Sequence, residues 1–404
     1  MTLRSMIMRN FRAHGQTRID FSAKVNLIHG PNGAGKTNIL EALHYLCLSK
    51  SFIASQDAYA LRRGTDQFEI EGEFESDRGS PVRVRLAYAP SEGKRLFVNR
   101  SPLERLSDVV GMLPVVVYSP EDAILTAGGP EERRRLMDNI MSQARPAYLD
   151  DLLKYRRVLR QRNELLARVA RGAFPVSQEP VLLSWTAELA TLAARIISAR
   201  IRFAWEFGGF LERAYRSLSD RVERPTLTYR TFAPLHDPDY ETVLQAYRAH
   251  LEQLEGRERE AGRTAIGPHR DEMVFRLNDL DVRRYASHGQ HRTFGMALKL
   301  AQFYFLYDRL GEKPILLLDD VFGNLDPVRA EIIVDLLQRE DLGQSLVTTT
   351  HARPFDAALS HGASANASIR VTSEAGQALV IRVAEGMTLE KQGIDQGEFE
   401  RGSE

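Results

Sequence analysis

A single cysteine, Cys47, is all that 404 residues offer. That excludes an internal disulfide and a cysteine metal cluster. Long apolar runs are missing as well. No window approaches ~18 uninterrupted apolar residues, so no membrane-spanning helix is expected. Residues 1–10 alternate apolar side chains with arginine and hold neither an apolar leader core nor a small-residue cleavage site, so a cytoplasmic protein is expected. An excess of charge of one sign is also lacking. Lys+Arg and Asp+Glu both number 54, so no global positive field draws in a polyanion. Any nucleic-acid binding must rest on a local patch.

What is present is ordinary globular composition, 43% hydrophobic and 27% charged, at a length that fits two or three lobes. Short strands are expected at 5–8, 18–21 and 25–28, the last ending in a glycine turn. Ile39, Leu40, Leu43, Leu46 and Cys47 recur at helical spacing. Antiparallel strands follow at 68–74, 82–88 and 95–98. The middle then turns helical, with long helices at 150–170 and 182–218 joined by a turn at 171–180, and a third at 240–256. Strand and helix alternate again from 263 to about 382. The expected division is an α/β domain at 1–125 and 263–385, a helical lobe at 126–262, and a loose tail at 386–404. An insertion of roughly 130 residues is far beyond ordinary loop length.

Gly30-Pro31-Asn32-Gly33-Ala34-Gly35-Lys36-Thr37 fits the phosphate-loop pattern G-x-x-x-x-G-K-[ST], between an apolar strand and a helix. Its glycines let backbone N–H groups turn inward around a phosphate, where a helix N-terminus favours negative charge. Lys36 would reach the β- and γ-phosphates, and Thr37 would ligate Mg²⁺. The strand Ile315-Leu316-Leu317-Leu318 ends in Asp319-Asp320. Asp319 would hold Mg²⁺, and Asp320 would position or deprotonate the attacking water. Asp326-Pro327 reads as a helix cap, with a role in sensing a partner subunit as the alternative. Ser287-His288-Gly289-Gln290 opens another helix and makes a second anion-favouring N-terminus.

In this order, phosphate loop, Ser-x-Gly-Gln helix, Asp-Asp strand, the chain resembles the ABC-type ATPases. Further stretches narrow the resemblance: Asn10-Phe11-Arg12, Asn38-Ile39-Leu40-Glu41-Ala42, Ser119-Pro120-Glu121-Asp122, Arg133-Arg134-Arg135, Gln161-Arg162-Asn163-Glu164, and Gly267-Pro268-His269-Arg270-Asp271. Together they resemble the RecF family of SMC-like ATPases over nearly the whole chain. The resemblance implies an α/β ABC/SMC-type P-loop ATPase head interrupted by a mostly helical lobe. It implies that Ser287, Gly289 and Gln290 complete the ATP site of a second copy, giving an ATP-dependent homodimer on duplex or gapped DNA. Slow, DNA-stimulated hydrolysis, partnership with RecR and RecO, and loading of RecA in repair and the SOS response are implied too. Asn38, Arg12 and His351 join the implied nucleotide-binding set, His351 as a switch histidine or a structural residue, Arg12 on a phosphate or merely exposed. The chain departs from the pattern at Ile53-Ala54, where an arginine is expected, and at Gly323-Asn324 in place of Ser-Glu.

The 257 positions from Gly30 to Ser287 exceed what a compact transporter ATPase needs and fall far short of a long coiled-coil arm. Another SMC-like DNA ATPase and, more remotely, a transporter subunit are the rival readings. Between Glu131 and Arg171 stand eleven Lys/Arg against six Asp/Glu. Arg134, Arg156, Arg157 and Arg160 are candidates for sequence-independent DNA backbone contact. The bland alternative is a solvated helix face with i,i+4 pairs. His269 sits in an apparent loop, where a lone histidine is commonly structural.

Overall fold

The computed structural model describes residues 1–219, 223–235, 238–324, 327–350, 366–374 and 376–383. The first part of the chain forms β1 (Thr2–Phe11), β2 (His14–Asp20), β3 (Val25–His29), α1 (Lys36–Leu48), β4 (Phe68–Glu75), β5 (Pro81–Ala89), β6 (Gly93–Val98), β7 (Ser101–Pro102) and β8 (Val115–Tyr118). The middle forms α2 (Ala123–Ala127), α3 (Pro130–Ala144), α4 (Pro146–Ala170), α5 (Glu179–Arg216), β9 (Pro225–Arg230) and α6 (Tyr240–Ala261). The return forms β10 (Glu272–Leu277), β11 (Leu280–Asp281), α7 (Val282–Tyr285), α8 (His288–Leu310), β12 (Ile315–Leu318), α9 (Pro327–Gln338), β13 (Ser345–Thr349), β14 (Ala367–Glu374) and β15 (Gln377–Val383).

Patterning explains the sheets. β4 alternates strictly, burying Phe68, Ile70, Gly72 and Phe74 while its glutamates face out. Those glutamates pair with arginines on neighbouring strands, Glu69 with Arg9 and Arg85, and Glu73 with Arg83. The result is an outer sheet in the order β2-β1-β4-β5-β6-β7. The inner sheet, β15-β14-β3-β13-β12-β8, is parallel except for β15. Its strands β3, β12 and β13 are buried at every residue, as a parallel sheet covered on both faces requires. Alternate residues serve different cores. Ile315 and Leu317 join α1 and the outer sheet, whereas Leu316 and Leu318 join α8 and the lobe.

The lobe is rooted in that second core. Phe203, Phe207 and Phe210 of α5 surround Phe305 of α8 with ring centroids 5.2, 5.9 and 5.6 Å apart. α5 is long and apolar enough to cross a membrane by length and composition, in contrast to the expectation from uninterrupted runs. Half of that window is buried against protein, which is how a core helix passes the same test. The third helix runs on to Ala261, past Gly256, because Glu258 in its last turn receives a buried Arg162 hydrogen bond of 2.6 Å. Sequence patterning gives no sign of the two-residue β7, of β8, which extends the inner sheet beside β12, or of β9, which pairs with β10 inside the mostly helical region. The expected tail at 386–404 lies outside the described residues.

Candidate functional site

β3 delivers the chain to a loop that only glycine can build. Gly30 has φ 150°, and a Cβ there would overlap the Val371 carbonyl oxygen of β14. Gly33 and Gly35 also take positive φ, 79° and 103°, turning the loop back into the N-terminus of α1. Lys36 donates across the loop to the carbonyls of Gly30 at 2.8 Å and Pro31 at 2.9 Å. Burial lowers its pKa, and the Asp320 and Asp319 carboxylates oppose that shift. Pro31, Asn32 and Gly33 face solvent, Ala34 is buried, and the Asn38 N–H donates to Gly35 O at 3.2 Å.

The carboxylate strand meets this loop directly. Thr37 Oγ1 donates to Asp319 Oδ1 at 2.8 Å, and Thr348 Oγ1 donates to the same oxygen at 2.6 Å. The Asp320 N–H donates to Thr348 Oγ1 at 2.9 Å, and Asp320 takes φ 45°. A non-glycine residue in that region carries strain, which persists where surrounding bonds over-determine it. Thr37 and Asp319 are hard oxygen donors side by side, the chemistry that Mg²⁺ takes together with substrate phosphates. Thr348 comes from the end of β13, with no local signal in the sequence for this role. Sequence reasoning also missed His14, fully buried, whose ring contacts Gly35 O at 3.2 Å and Thr17 Oγ1 at 3.1 Å. Burial lowers the His14 pKa, and the Gly35 carbonyl opposes the shift. No spacing signal marks a lone histidine at a strand start.

Arg12 is engaged one turn further along α1. Its Nε and Nη2 reach Glu41 at 2.9 and 2.7 Å, and Nη1 reaches Tyr59 O at 2.7 Å. Glu41 is fully buried and also accepts the Ser51 hydroxyl. That hydroxyl in turn accepts the N–H groups of Ile53 and Ala54 at 2.9 and 2.8 Å, so the segment lacking the expected arginine is folded back on Ser51.

Ser287 is the N-cap of α8 and forms a reciprocal capping box with Gln290, with bonds of 3.3 and 2.8 Å. Gln290 Nε2 also donates to Glu223 at 2.8 Å, which accepts the Tyr215 hydroxyl from α5. Thr293 Oγ1 donates to Gly289 O at 3.1 Å. Ser287 and His288 face solvent, and no hydrogen bond among the described residues joins 287–290 to 30–38. Asp122 closes a capping box with Ser119 and pairs with Lys299 of α8 at 2.8 Å, so that acidic stretch braces the same helix. Asp326 and His351 lie outside the described residues. Arg134 donates to Asp271 O at 2.8 Å, and Arg156 to Asp138 at 3.2 Å. Arg157 and Arg160 are exposed on α4.

Known proteins match this arrangement over most of its length. The RecF/RecN/SMC N-terminal domain model matches residues 2–378. The DNA replication and repair protein RecF of Salinibacter ruber is 50% identical over 381 residues, 94% of this chain and 92% of that one. Its counterpart in Chloroherpeton thalassium is 45% identical over 357 residues, 88% and 96% of the two chains. The solved recombination mediator protein RecF-ATP of the RecFOR pathway superposes with TM-score 0.84 at 27% identity, covering 95% of this chain and 98% of that one. The Smc head domain of Pyrococcus furiosus shares the fold, with TM-score 0.56 at 16% identity over 97% of each chain. An ABC/SMC-type head with its phosphate loop and carboxylate strand joined through Thr37 and Asp319, matched at this identity over this length, belongs to the RecF family of RecF/RecN/SMC proteins.

Proposed function

We propose that this protein is an ATP-dependent DNA clamp of replication and repair, in which two copies close around two ATP molecules and hold duplex or gapped DNA. The observation that carries the reading is the pairing of a braced phosphate loop with a solvent-facing Ser287 turn that makes no bond to it. Each copy then supplies the loop for one ATP and the Ser287, Gly289 and Gln290 turn for the other. Lys36 exchanges the Gly30 and Pro31 carbonyls for phosphate oxygens. Thr37 and Asp319 hold Mg²⁺, which when bound neutralises charge on the β- and γ-phosphates. Asp320, its backbone fixed by Thr348, orients the attacking water. Asp326 and His351 report the partner and the γ-phosphate. DNA lies along Arg134, Arg156, Arg157 and Arg160, its backbone contacts giving affinity without sequence readout. DNA stimulates slow hydrolysis, which opens the dimer, and the released assembly works in the cytoplasm with RecR and RecO to load RecA at gaps.

Light scattering after size exclusion tests this, using Asp320→Asn to stall hydrolysis, with ATP, ADP or no nucleotide, and with or without gapped duplex. The expected result is a dimer with ATP alone that DNA tightens. A monomer under every condition overturns the two-headed site.

A further inference from the structure

Three segments that the nucleotide site leaves unused meet at one cleft of about 230 Å³ in the lobe. They are the loop carrying His269, the arginines of α3, and the middle of α4. The cleft is built, not incidental. Arg200 of α5, buried in its wall, donates to Pro268 O at 2.7 Å, to Asp138 at 2.7 Å and to Tyr148 Oη at 3.0 Å. The Tyr155 hydroxyl meets His269 Nδ1 at 2.6 Å. Gly267 takes φ 125°, and a Cβ there would stand 2.7 Å from Tyr247 Oη and 2.8 Å from Tyr155 Oη. Only glycine lets the loop press against both rings.

Four guanidiniums line this cleft, Arg134, Arg135, Arg156 and Arg200, with Glu131 and Asp138 beside them, while Glu132 pairs with Arg135 and the buried Asp271 carboxylate acts on Arg134 and Arg200. Arg200 and Arg156 share Asp138, and Arg135 pairs with Glu131. Arg134 pairs with no carboxylate among the described residues and donates only to the Asp271 carbonyl. Lys50, from the turn after α1, adds a cation nearby. Desolvation and the Arg156 guanidinium lower its pKa, and Asp138 opposes them.

His269 Nε2 is buried without a hydrogen-bond partner. Burial brings its pKa down to about 4, and a contact with the Thr264 backbone opposes, so the ring is neutral near pH 7. In the tautomer in which Nδ1 accepts the Tyr155 hydroxyl, Nε2 carries the proton and is a donor. A buried donor left unmet is costly. A guanidinium without a carboxylate in salt-bridge contact, beside an unmet donor, is what an oxyanion satisfies.

We propose that this cleft seats one phosphodiester group of the DNA backbone, between the Arg134 guanidinium and the His269 Nε2–H. The continuation of the surface argues for a polymer. Arg156 and Leu159 border both this cleft and an adjoining groove along α4 that carries Arg160, Arg168 and Arg171. A backbone laid along α4 presents successive phosphates to those arginines and one to the cleft. The inference rests on the DNA reading above and adds to it a fixed contact point.

The test is fluorescence anisotropy of the full chain on a labelled gapped duplex between 50 and 200 mM salt, comparing wild type with Arg134→Gln. Losing one phosphate contact is expected to lower the slope of log affinity against log salt by about 0.9 and to weaken binding on the order of tenfold. Wild type bound with a slope that Arg134→Gln leaves unaltered overturns the seat and takes Arg134 off the DNA path, while the contacts of Arg156, Arg157 and Arg160 stand. Wild type without duplex affinity in any nucleotide state overturns both. Wild-type protein with ¹⁵N-labelled histidine gives a reading free of folding defects, its His269 signal identified by its loss in His269→Gln. That signal is expected to move with duplex. Movement with inorganic phosphate and none with duplex identifies a free-phosphate pocket and overturns the phosphodiester.

Discussion

The N-termini of α1 and α8 are made of the same material, glycine and a hydroxyl residue ahead of an apolar helix, and they end in opposite states. At α1, Lys36 is 8% exposed and Asp319 9%, with Lys36 bonded to the Gly30 and Pro31 carbonyls and Thr37 and Thr348 to Asp319. At α8, among the described residues, the Ser287 turn bonds within its own helix and to Glu223, with its hydroxyl residue in solvent. Both termini offer inward or outward N–H groups to an anion. One is braced by the sheet that carries it, and the other faces solvent. If two copies close as proposed, half of the site is folded and half is assembled, so damage to the first would show in stability and damage to the second in association.

Unfolding free energies rank the consequences. Arg12→Ala strands the buried Glu41 carboxylate on the α1 side, which costs about 3–5 kcal/mol in urea unfolding. A loss below 1 kcal/mol breaks the claim that the α1 side is braced from within. Next comes His44 of α1, buried with Nδ1 donating to Lys50 O at 2.6 Å and with its pKa brought down to about 4 by burial. A histidine depressed in the folded state binds fewer protons folded than unfolded. Its contribution is therefore intact above pH 6.5 and lost as pH falls toward 4, by about 3 kcal/mol. Unfolding of His44→Gln is expected to show that much less acid sensitivity than wild type. Glu223→Gln removes the charged acceptor of Gln290 and Tyr215 and is expected to cost about 1 kcal/mol, with phosphate release slowed severalfold because the turn is less well held. Ser287→Arg sits at the low end, losing the N-cap of α8 at a cost of about 0.5–1 kcal/mol. It is nevertheless expected to abolish the ATP-dependent dimer while leaving ATP binding by the monomer, measured by calorimetry.

What the sequence made legible follows the same division. The loop at Gly30–Thr37 and the strand ending at Asp319 are runs of consecutive residues, so their chemistry is written locally. The partners that brace them are not. His14, Thr348 and Glu223 come from distant strands and turns, and each is an ordinary residue until the fold delivers it to Gly35 O, Asp319 or Gln290. β9 was passed over because six residues, Pro225–Arg230, stand inside a helical region and are held by β10, some forty residues on. Arg12 was read toward phosphate, and only the buried Glu41 on the facing turn of α1 reveals where its guanidinium is engaged.

The central claim is that the α8 turn of one copy closes the α1 loop of another, and cross-linking two single-site variants tests it most directly. Asn32→Cys on the loop and His288→Cys beside the turn both lie at exposed positions. The native Cys47 is buried, with its thiol pKa pushed far above the ordinary value, so it does not react with a bifunctional maleimide. Mixed in equal amounts with ATP, the two variants are expected to give a cross-linked pair that neither gives alone and that ADP does not support. No cross-link in the mixture, or one formed equally without ATP, contradicts the account.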